Sequence, residues 1–205
     1  MIGQPLETEF SAKLLGYINM LRQKPTEFIK YLSERELEYE GNSYVYRKKA
    51  VRIKTKEDVG AVAEAIAFLE KSRPVLPLEK DKKLFGTAKA HGVYLAGGGV
   101  VSHRGEDDRE PEQRVVPVVG KGSLAECIVI GESKAKHVAI NLLVDDGLGD
   151  RPNRKLITSK DFGQIGIFSA DHPAKGHVVV IHLWGSPVAK FNYKFPHNEL
   201  NEEPW

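Results

Sequence analysis

Two stretches near the C-terminal end decide the fold: Phe162-Gly-Gln-Ile-Gly-Ile-Phe168 and His177-Val-Val-Val-Ile-His-Leu-Trp184. Both are rich in the β-branched and aromatic residues that favour strands. The segment between them, Asp171-His-Pro-Ala-Lys-Gly176, contains residues that favour turns. The pattern therefore predicts an antiparallel β-hairpin, and a hairpin of this kind needs further strands or helices to cover its apolar face.

Amphipathic helices are expected in the part of the chain that precedes this hairpin. Apolar residues recur at helical spacing in five segments, at about residues 14–21, 26–32, 59–69, 84–95 and 133–143. Residues 34–56 break this pattern and predict an irregular insertion with one short hairpin. No internal repeat or interdomain linker is evident. The sequence thus predicts an α+β fold, with helices covering an antiparallel sheet, in a single domain of residues 1–205.

The composition excludes several classes of protein. The 30 lysines and arginines and 28 acidic residues are interspersed and give a net charge of +2, so no basic stripe for nucleic acid is expected. The longest apolar run, Val178 to Ile181, is far shorter than the roughly 20 residues that cross a bilayer, which argues against an integral membrane protein. No secretory leader is visible at residues 1–5. The single cysteine, Cys127, cannot form an internal disulfide, so cysteine usage does not indicate in which cellular compartment the protein is located.

Four polar features stand out because each falls in a loop or at the end of a predicted element. They are His103, Glu126, the acidic helix end Asp145-Asp146 and the polar turn Arg151-Pro152-Asn153-Arg154. Side chains at such positions can converge from distant segments on one cavity. The sequence therefore predicts a pocket to which these four features contribute.

The same residues carry a resemblance to a known family. The resemblance rests on the order of these residues: Ser102-His103, Arg114, Gly120, Glu126, Gly131, the helix end at 142–147, Arg151-x-x-Arg154 and Ile165-Gly166. With this order, the chain resembles the CAP superfamily of cysteine-rich secretory, antigen 5 and pathogenesis-related proteins. The bacterial SCP-like extracellular domains are the most similar members, and the resemblance covers nearly the whole chain. It implies a three-layer α-β-α sandwich, an extracellular or cell-envelope location, and a pocket with two histidines and two acidic residues.

Carried over position by position, the resemblance places His103 at the first histidine and Glu126 at the first acid. Asp146 matches the second acid, whereas Asn153 stands where the second histidine belongs. Cys127 replaces the asparagine that usually follows the glutamate. An amide oxygen is a poorer ligand for zinc than an imidazole nitrogen. We therefore expect a degenerate tetrad with no resident cofactor, in which His103 holds a divalent cation such as zinc only weakly.

Other interpretations of these residues stay open. His103 can be a structural hydrogen-bond partner of Glu126, a ligand-recognition residue or a catalytic base, and Asp146 and Asn153 can be ordinary helix-end and turn residues. A cysteine nucleophile is disfavoured, because Cys127 must face the core if its neighbour Glu126 faces the pocket. His91 is expected to be a packed helix residue. His177 and His182 lie on opposite faces of the last predicted strand, so only one of them can face a pocket.

Three functions fit these expectations. The first is a non-enzymatic binding module whose cleft takes a small lipid-like, peptide or glycan ligand, as the resemblance implies. The second is a peptidase-like hydrolase that uses His103 with Glu126 or Asp146 as a general base. The third is a scaffold whose partner surface lies elsewhere, on the tyrosine-containing segment 34–53 or on the tail ending in Trp205. The sequence favours the binding module, because it offers no convincing nucleophile or oxyanion donors.

Overall fold

The computed structural model describes residues 8–46 and 51–186, and within them the chain forms seven α-helices and six β-strands. The helices are α1 Glu9–Gln23, α2 Pro25–Glu36, α3 Gly60–Lys71, α4 Lys82–Ala96, α5 Pro111–Val119, α6 Ala135–Val144 and α7 Pro152–Thr158. The strands are β1 Ser43–Tyr46, β2 Val51–Lys54, β3 Glu79–Lys80, β4 Ser123–Ile130, β5 Gln164–His172 and β6 Gly176–Gly185.

The central sheet has four strands in the order β3-β5-β6-β4. The predicted C-terminal hairpin is confirmed, since β5 and β6 pair antiparallel from Gln164 opposite Trp184 to His172 opposite Gly176. β4 pairs antiparallel with the other edge of β6. β3 contributes only two residues, and these pair parallel to β5. The sheet is therefore antiparallel except for this short edge strand.

Helices cover both faces of the sheet, as expected for a three-layer sandwich. On one face, Cys127 and Val129 of β4 pack in the main core with buried side chains of α1, α2, α3, α6 and α7. On the other face, Ile128 packs with Phe168 of β5 and with Ala88 and Leu95 of α4. Alternate residues of a strand point to opposite faces, so β4 contributes to both cores.

Gly166 allows α4 to lie directly against the sheet. A Cβ atom at this position would be 2.2 Å from the carbonyl carbon of Leu84 and 2.3 Å from the amide nitrogen of Phe85. Any larger residue would push the first turn of α4 off β5. The close contact matters for the site because α4 also carries His91.

The insertion predicted at residues 34–56 is partly regular. α2 extends into it as far as Glu36, and the expected hairpin is present as the antiparallel pair β1 and β2. Tyr44 of β1 is buried, with the Arg35 guanidinium 3.8 Å from its ring centroid. The hairpin is therefore anchored to α2 by a cation–π contact.

Two helices were not expected from the sequence. α5 begins at Pro111, inside a stretch that reads as a charged loop, and α7 begins at Pro152, where a polar turn is expected. In both cases proline occupies the first helical turn, where its missing N–H costs no hydrogen bond. The predicted partner surface on the tail ending in Trp205 lies outside the described residues. None of the described helices combines the length and the apolar character that a membrane span requires.

Candidate functional site

The site is centred on Glu126, which the two long antiparallel strands place opposite a histidine. In the register of β4 and β6, Glu126 lies directly across from His182. The Nε2 atom of His182 is 2.6 Å from Oε2 of Glu126, and neither side chain is exposed to solvent. Both face the side of the sheet that α4 and α5 cover.

The loop at residues 97–110, between α4 and α5, supplies a second histidine. Nδ1 of His103 is 2.9 Å from Oε1 of Glu126. Arg114 of α5 donates from Nη2 to Oε2 of Glu126 at 3.0 Å and to the backbone carbonyl of His103 at 2.7 Å. The carboxylate therefore receives donors from three different elements, which holds the loop against the sheet.

His91 of α4 completes the set, which we call the Glu126 cluster: Glu126, His91, His103, Arg114 and His182. Nε2 of His91 is 3.0 Å from the carbonyl oxygen of Ser102 and 3.8 Å from Oε1 of Glu126. A carbonyl only accepts, so Nε2 must carry the proton. Nδ1 of His91 is then an unprotonated nitrogen, buried and without a hydrogen-bond partner in the described part of the chain. Burial lowers the pKa of His91 to about 4.

The charge on Glu126 is fixed by its surroundings. Burial alone raises the pKa of this carboxyl, but the hydrogen bonds from His103 and His182 outweigh burial and hold the pKa well below its usual range. An ionised carboxylate only accepts hydrogen bonds. His103 therefore donates from Nδ1 and His182 donates from Nε2, and Arg114 neutralises the buried negative charge.

The hydrogen-bond chain continues from His182 into α4. Nδ1 of His182 is 2.8 Å from Oγ1 of Thr87, and that hydroxyl is 3.0 Å from the carbonyl oxygen of Leu84. The hydroxyl has one proton to donate. It donates either to a neutral His182 ring or to Leu84, in which case His182 is doubly protonated. Either arrangement connects Glu126 to Thr87 of α4 through hydrogen bonds, and the second also reaches the backbone carbonyl of Leu84.

Because His91 is buried and neutral, we expect the free energy of unfolding to depend on pH under mildly acidic conditions. The pKa of His91 falls from 6.5 in the unfolded chain to about 4 in the folded protein. Between these values the unfolded chain binds a proton that the folded protein does not, so the free energy of unfolding decreases as the pH drops through this window, by about 3 kcal/mol in total. The lowered pKa of Glu126 costs stability only below its usual value of 4.5.

Urea unfolding of the unaltered protein and of a His91→Gln variant, at a series of pH values between about 6.5 and about 4.5, isolates the His91 contribution because the other titrating groups are common to both. His91→Gln keeps a donor for the carbonyl of Ser102 and removes the titrating ring, so it should flatten the pH dependence in this window. The same slope in the variant and the unaltered protein would contradict the assignment of His91 as a neutral buried histidine.

The structure brings together only two of the four residues predicted to line one cleft. Both carboxylate oxygens of Asp146 accept backbone N–H groups, from Lys56 and Glu57, each at 2.8 Å. Asn153 bonds to Asp145 instead: its Nδ2 donates to Oδ1 at 2.7 Å and its backbone N–H donates to Oδ2 at 2.7 Å. The expected four-residue cleft is corrected to the pair His103 and Glu126.

The backbone at the end of α6 explains this correction. Asp145 adopts a left-handed conformation with φ of 56° and ends the helix. Its carboxylate lies at the start of α7, where it accepts the N–H groups of Asn153 and Arg154. Asp146 follows this reversal and lies against the segment before α3. Both acids therefore satisfy backbone donors near helix starts.

The donor set does not fit the zinc site that the resemblance implies. Asn153 and Asp146 have the separate partners given above and do not join His103 in one donor set. Across residues 8–46 and 51–186, no three histidine, cysteine, aspartate or glutamate side chains are arranged to hold a metal ion.

Sequence reasoning does not identify three members of the cluster, His91, Arg114 and His182, as site residues. The sequence leaves open whether His177 or His182 faces a pocket, and the deciding signal is the cross-strand partner, since Glu126 lies opposite His182. His91 is expected to be a packed residue, and it is buried, but it also borders Glu126. Thr87 and His91 are four residues apart on α4 and both face the sheet, a spacing that places polar side chains on one helix face.

Comparison with known proteins gives a structural similarity for this chain but no family. No family model matches it, and no curated protein matches it. Among solved structures, it is similar to an outer surface protein from Borrelia burgdorferi, with a TM-score of 0.48 and 20% sequence identity over 72% of this chain and 99% of that chain. At this identity and this TM-score, the similarity assigns neither a family nor a function.

Proposed function

We propose that this chain is a CAP-like domain that acts as a non-enzymatic binding module outside the cell or in the cell envelope. In this proposal the Glu126 cluster is a structural element that holds the loop at residues 97–110 in place, and the ligand binds along that loop. The family and the location come from the resemblance described above. The geometry of the cluster supports the non-enzymatic role.

The observation that carries the proposal is the closed environment of Glu126. Its side chain has no exposed surface, and its two oxygens accept from His103, His182 and Arg114. A general base must reach the proton that it removes, directly or through one water molecule. Glu126 is enclosed by donors and is held ionised. These features favour a structural anchor for Glu126 over a role as the base itself.

The hydrolase alternative also lacks a nucleophile. Cys127 is fully buried in the main core, on the face of the sheet opposite Glu126, and burial raises the pKa of its thiol. A cysteine nucleophile reacts as the exposed thiolate. The expectation that Cys127 faces the core is confirmed. Asp146, the other acid considered as a partner of His103, accepts two backbone N–H groups and lies elsewhere.

The cluster fixes two consecutive carbonyl groups of the loop. The carbonyl of Ser102 is 3.0 Å from Nε2 of His91, and the carbonyl of His103 accepts from Arg114. His103 is 7% exposed to solvent, whereas His182 and Glu126 are fully buried. Val100 and Arg104 of the same loop are exposed. A fixed rim with one apolar and one basic side chain suits a small lipid-like, peptide or glycan ligand.

This proposal is tested by NMR titration of the isotope-labelled protein with three probes: palmitate, triglycine and the trisaccharide of N-acetylglucosamine. We expect at least one probe to shift the resonances of Val100, His103 and Arg104. Fluorescent casein and p-nitrophenyl acetate should be hydrolysed no faster than in buffer. If no probe shifts these resonances, the binding role is refuted. Hydrolysis that His103→Ala abolishes without changing the melting temperature would establish the enzyme instead.

A further inference from the structure

Among the described residues, one edge of the central sheet is left unpaired where β3 ends. β3 pairs with Gln164 and Ile165 only, while β5 continues to His172. The carbonyl of Ile165 accepts from the backbone N–H of Asp81 and so points toward β3. Backbone groups of every second residue in a strand point to the same side. The N–H and C=O groups of Ile167 and Ser169 therefore point to the same side of β5 as β3. They lie beyond the end of β3, where no described strand pairs with β5.

β3 ends at Lys80 because the next residue, Asp81, caps helix α4. Oδ1 of Asp81 accepts from the backbone N–H of Leu84 at 2.8 Å and caps α4. The residues after Lys80 therefore turn into a helix and cannot extend the strand. An open edge of this kind is a template for pairing with another extended chain, and proteins usually cover or block it.

A cavity of about 180 Å³ lies at the point where β3 ends and the open edge begins. Ile165 and Ile167 of β5 form its floor, and Leu15 of α1 and Phe85 of α4 form apolar walls. The exposed Lys82 lies at its rim. The carboxylate of Asp81 also lines the cavity but is held by the helix cap. The cavity thus offers an apolar pocket beside a positive charge.

We infer that the edge of β5 from Ile167 to Asp171, together with this cavity, binds an extended peptide segment of a partner protein, which adds to the sheet as a strand. One apolar side chain of the peptide would fill the cavity, and an acidic side chain would lie near Lys82. The unpaired N–H and C=O groups favour a peptide, because a peptide supplies both partners at strand spacing whereas an acyl chain supplies neither. The inference goes beyond the proposed function and does not depend on the Glu126 cluster.

Hydrogen exchange followed by NMR tests the open edge in the dilute protein. The amides of Ile167 and Ser169 should exchange rapidly, whereas those of Gly166 and Phe168, which face β6, should be strongly protected. Protection of Ile167 and Ser169 that is independent of concentration would mean that another segment of this chain already covers the edge. Protection that appears only at high concentration would mean that a second copy pairs there. Either result overturns the inference.

The partner class is tested with a blocked peptide of alternating valine and threonine that contains one glutamate. We expect this probe to protect the amides of Ile167 and Ser169, and the same peptide N-methylated at alternate residues to give no protection. Lys82→Glu should weaken binding about fivefold. Lys83→Glu is the matched control, because Lys83 is exposed on the same helix turn but does not line the cavity. Unchanged exchange in saturating peptide, or equal effects of the two variants, would overturn the inference.

Discussion

Replacing Glu126 with alanine should lower the free energy of unfolding by about 3–5 kcal/mol, the usual cost of removing one partner from a buried ion pair. The variant leaves Arg114 with an uncompensated charge and leaves Nδ1 of His103 and Nε2 of His182 without their acceptor. The melting temperature should drop by roughly 10–15 °C for a chain of this length. Thermal unfolding followed by circular dichroism measures both quantities.

A matched control distinguishes the cluster from loss of a carboxylate in general. Glu70 of α3 is exposed, and Glu70→Ala should change the melting temperature by about 2 °C or less. Glu126→Gln keeps the size of the side chain but points amide hydrogens at existing donors, so it should also destabilise the protein strongly. A Glu126→Ala variant as stable as the Glu70→Ala variant would contradict the structural role of the cluster.

Replacing Arg22 with methionine should have an effect of similar size, about 3–5 kcal/mol. Arg22 of α1 is 2% exposed, and its guanidinium donates to four backbone carbonyls: those of Leu76, Ile157, Ser159 and Phe162, at 2.8–3.0 Å. Burial lowers its pKa to about 10, so the group remains charged at neutral pH. Methionine fills much of the space but leaves the four carbonyls without this donor.

Arg73 provides the control for this substitution. Its side chain is exposed, and it lines the same surface cavity as Arg22. Arg73→Met should alter the urea midpoint only slightly, because an exposed arginine loses no buried hydrogen bonds. Since Arg22 connects α1 to the segment that leads into β5, its loss should also speed hydrogen exchange at the start of β5. Equal urea midpoints for the two variants would show that the buried guanidinium contributes little.

Local patterns in the sequence are enough to predict the layers of the fold. The β-branched runs on either side of the turn at residues 171–176 predict the hairpin, and apolar spacing predicts α3, α4 and α6 close to their observed bounds. The side chain of Asp81 caps α4 by accepting from Leu84, and an aspartate just before a helical segment is a cap signal that the sequence itself carries. These features depend on neighbouring residues, whose effects on the backbone can be read from the sequence.

The site is predicted only in part because its geometry depends on contacts between distant residues. The meeting of His103 and Glu126 is expected and is present, but Arg114 reaches them from a helix that follows a charged segment and reads as a loop in the sequence. The left-handed conformation of Asp145 cannot be read from an Asp-Asp-Gly sequence, and it separates Asp146 from the cluster. The register that pairs Glu126 with His182 likewise requires the assembled sheet.

The most direct test is the carbon-13 chemical shift of the Glu126 carboxyl group, followed by NMR as the pH is lowered. We predict that this shift stays constant from about pH 8 to about pH 4.5, because a carboxylate that accepts from two histidines and an arginine remains ionised throughout this range. A general acid or base working near neutral pH would instead titrate at about pH 6–7. A midpoint in that range would contradict the closed structural cluster and support catalysis.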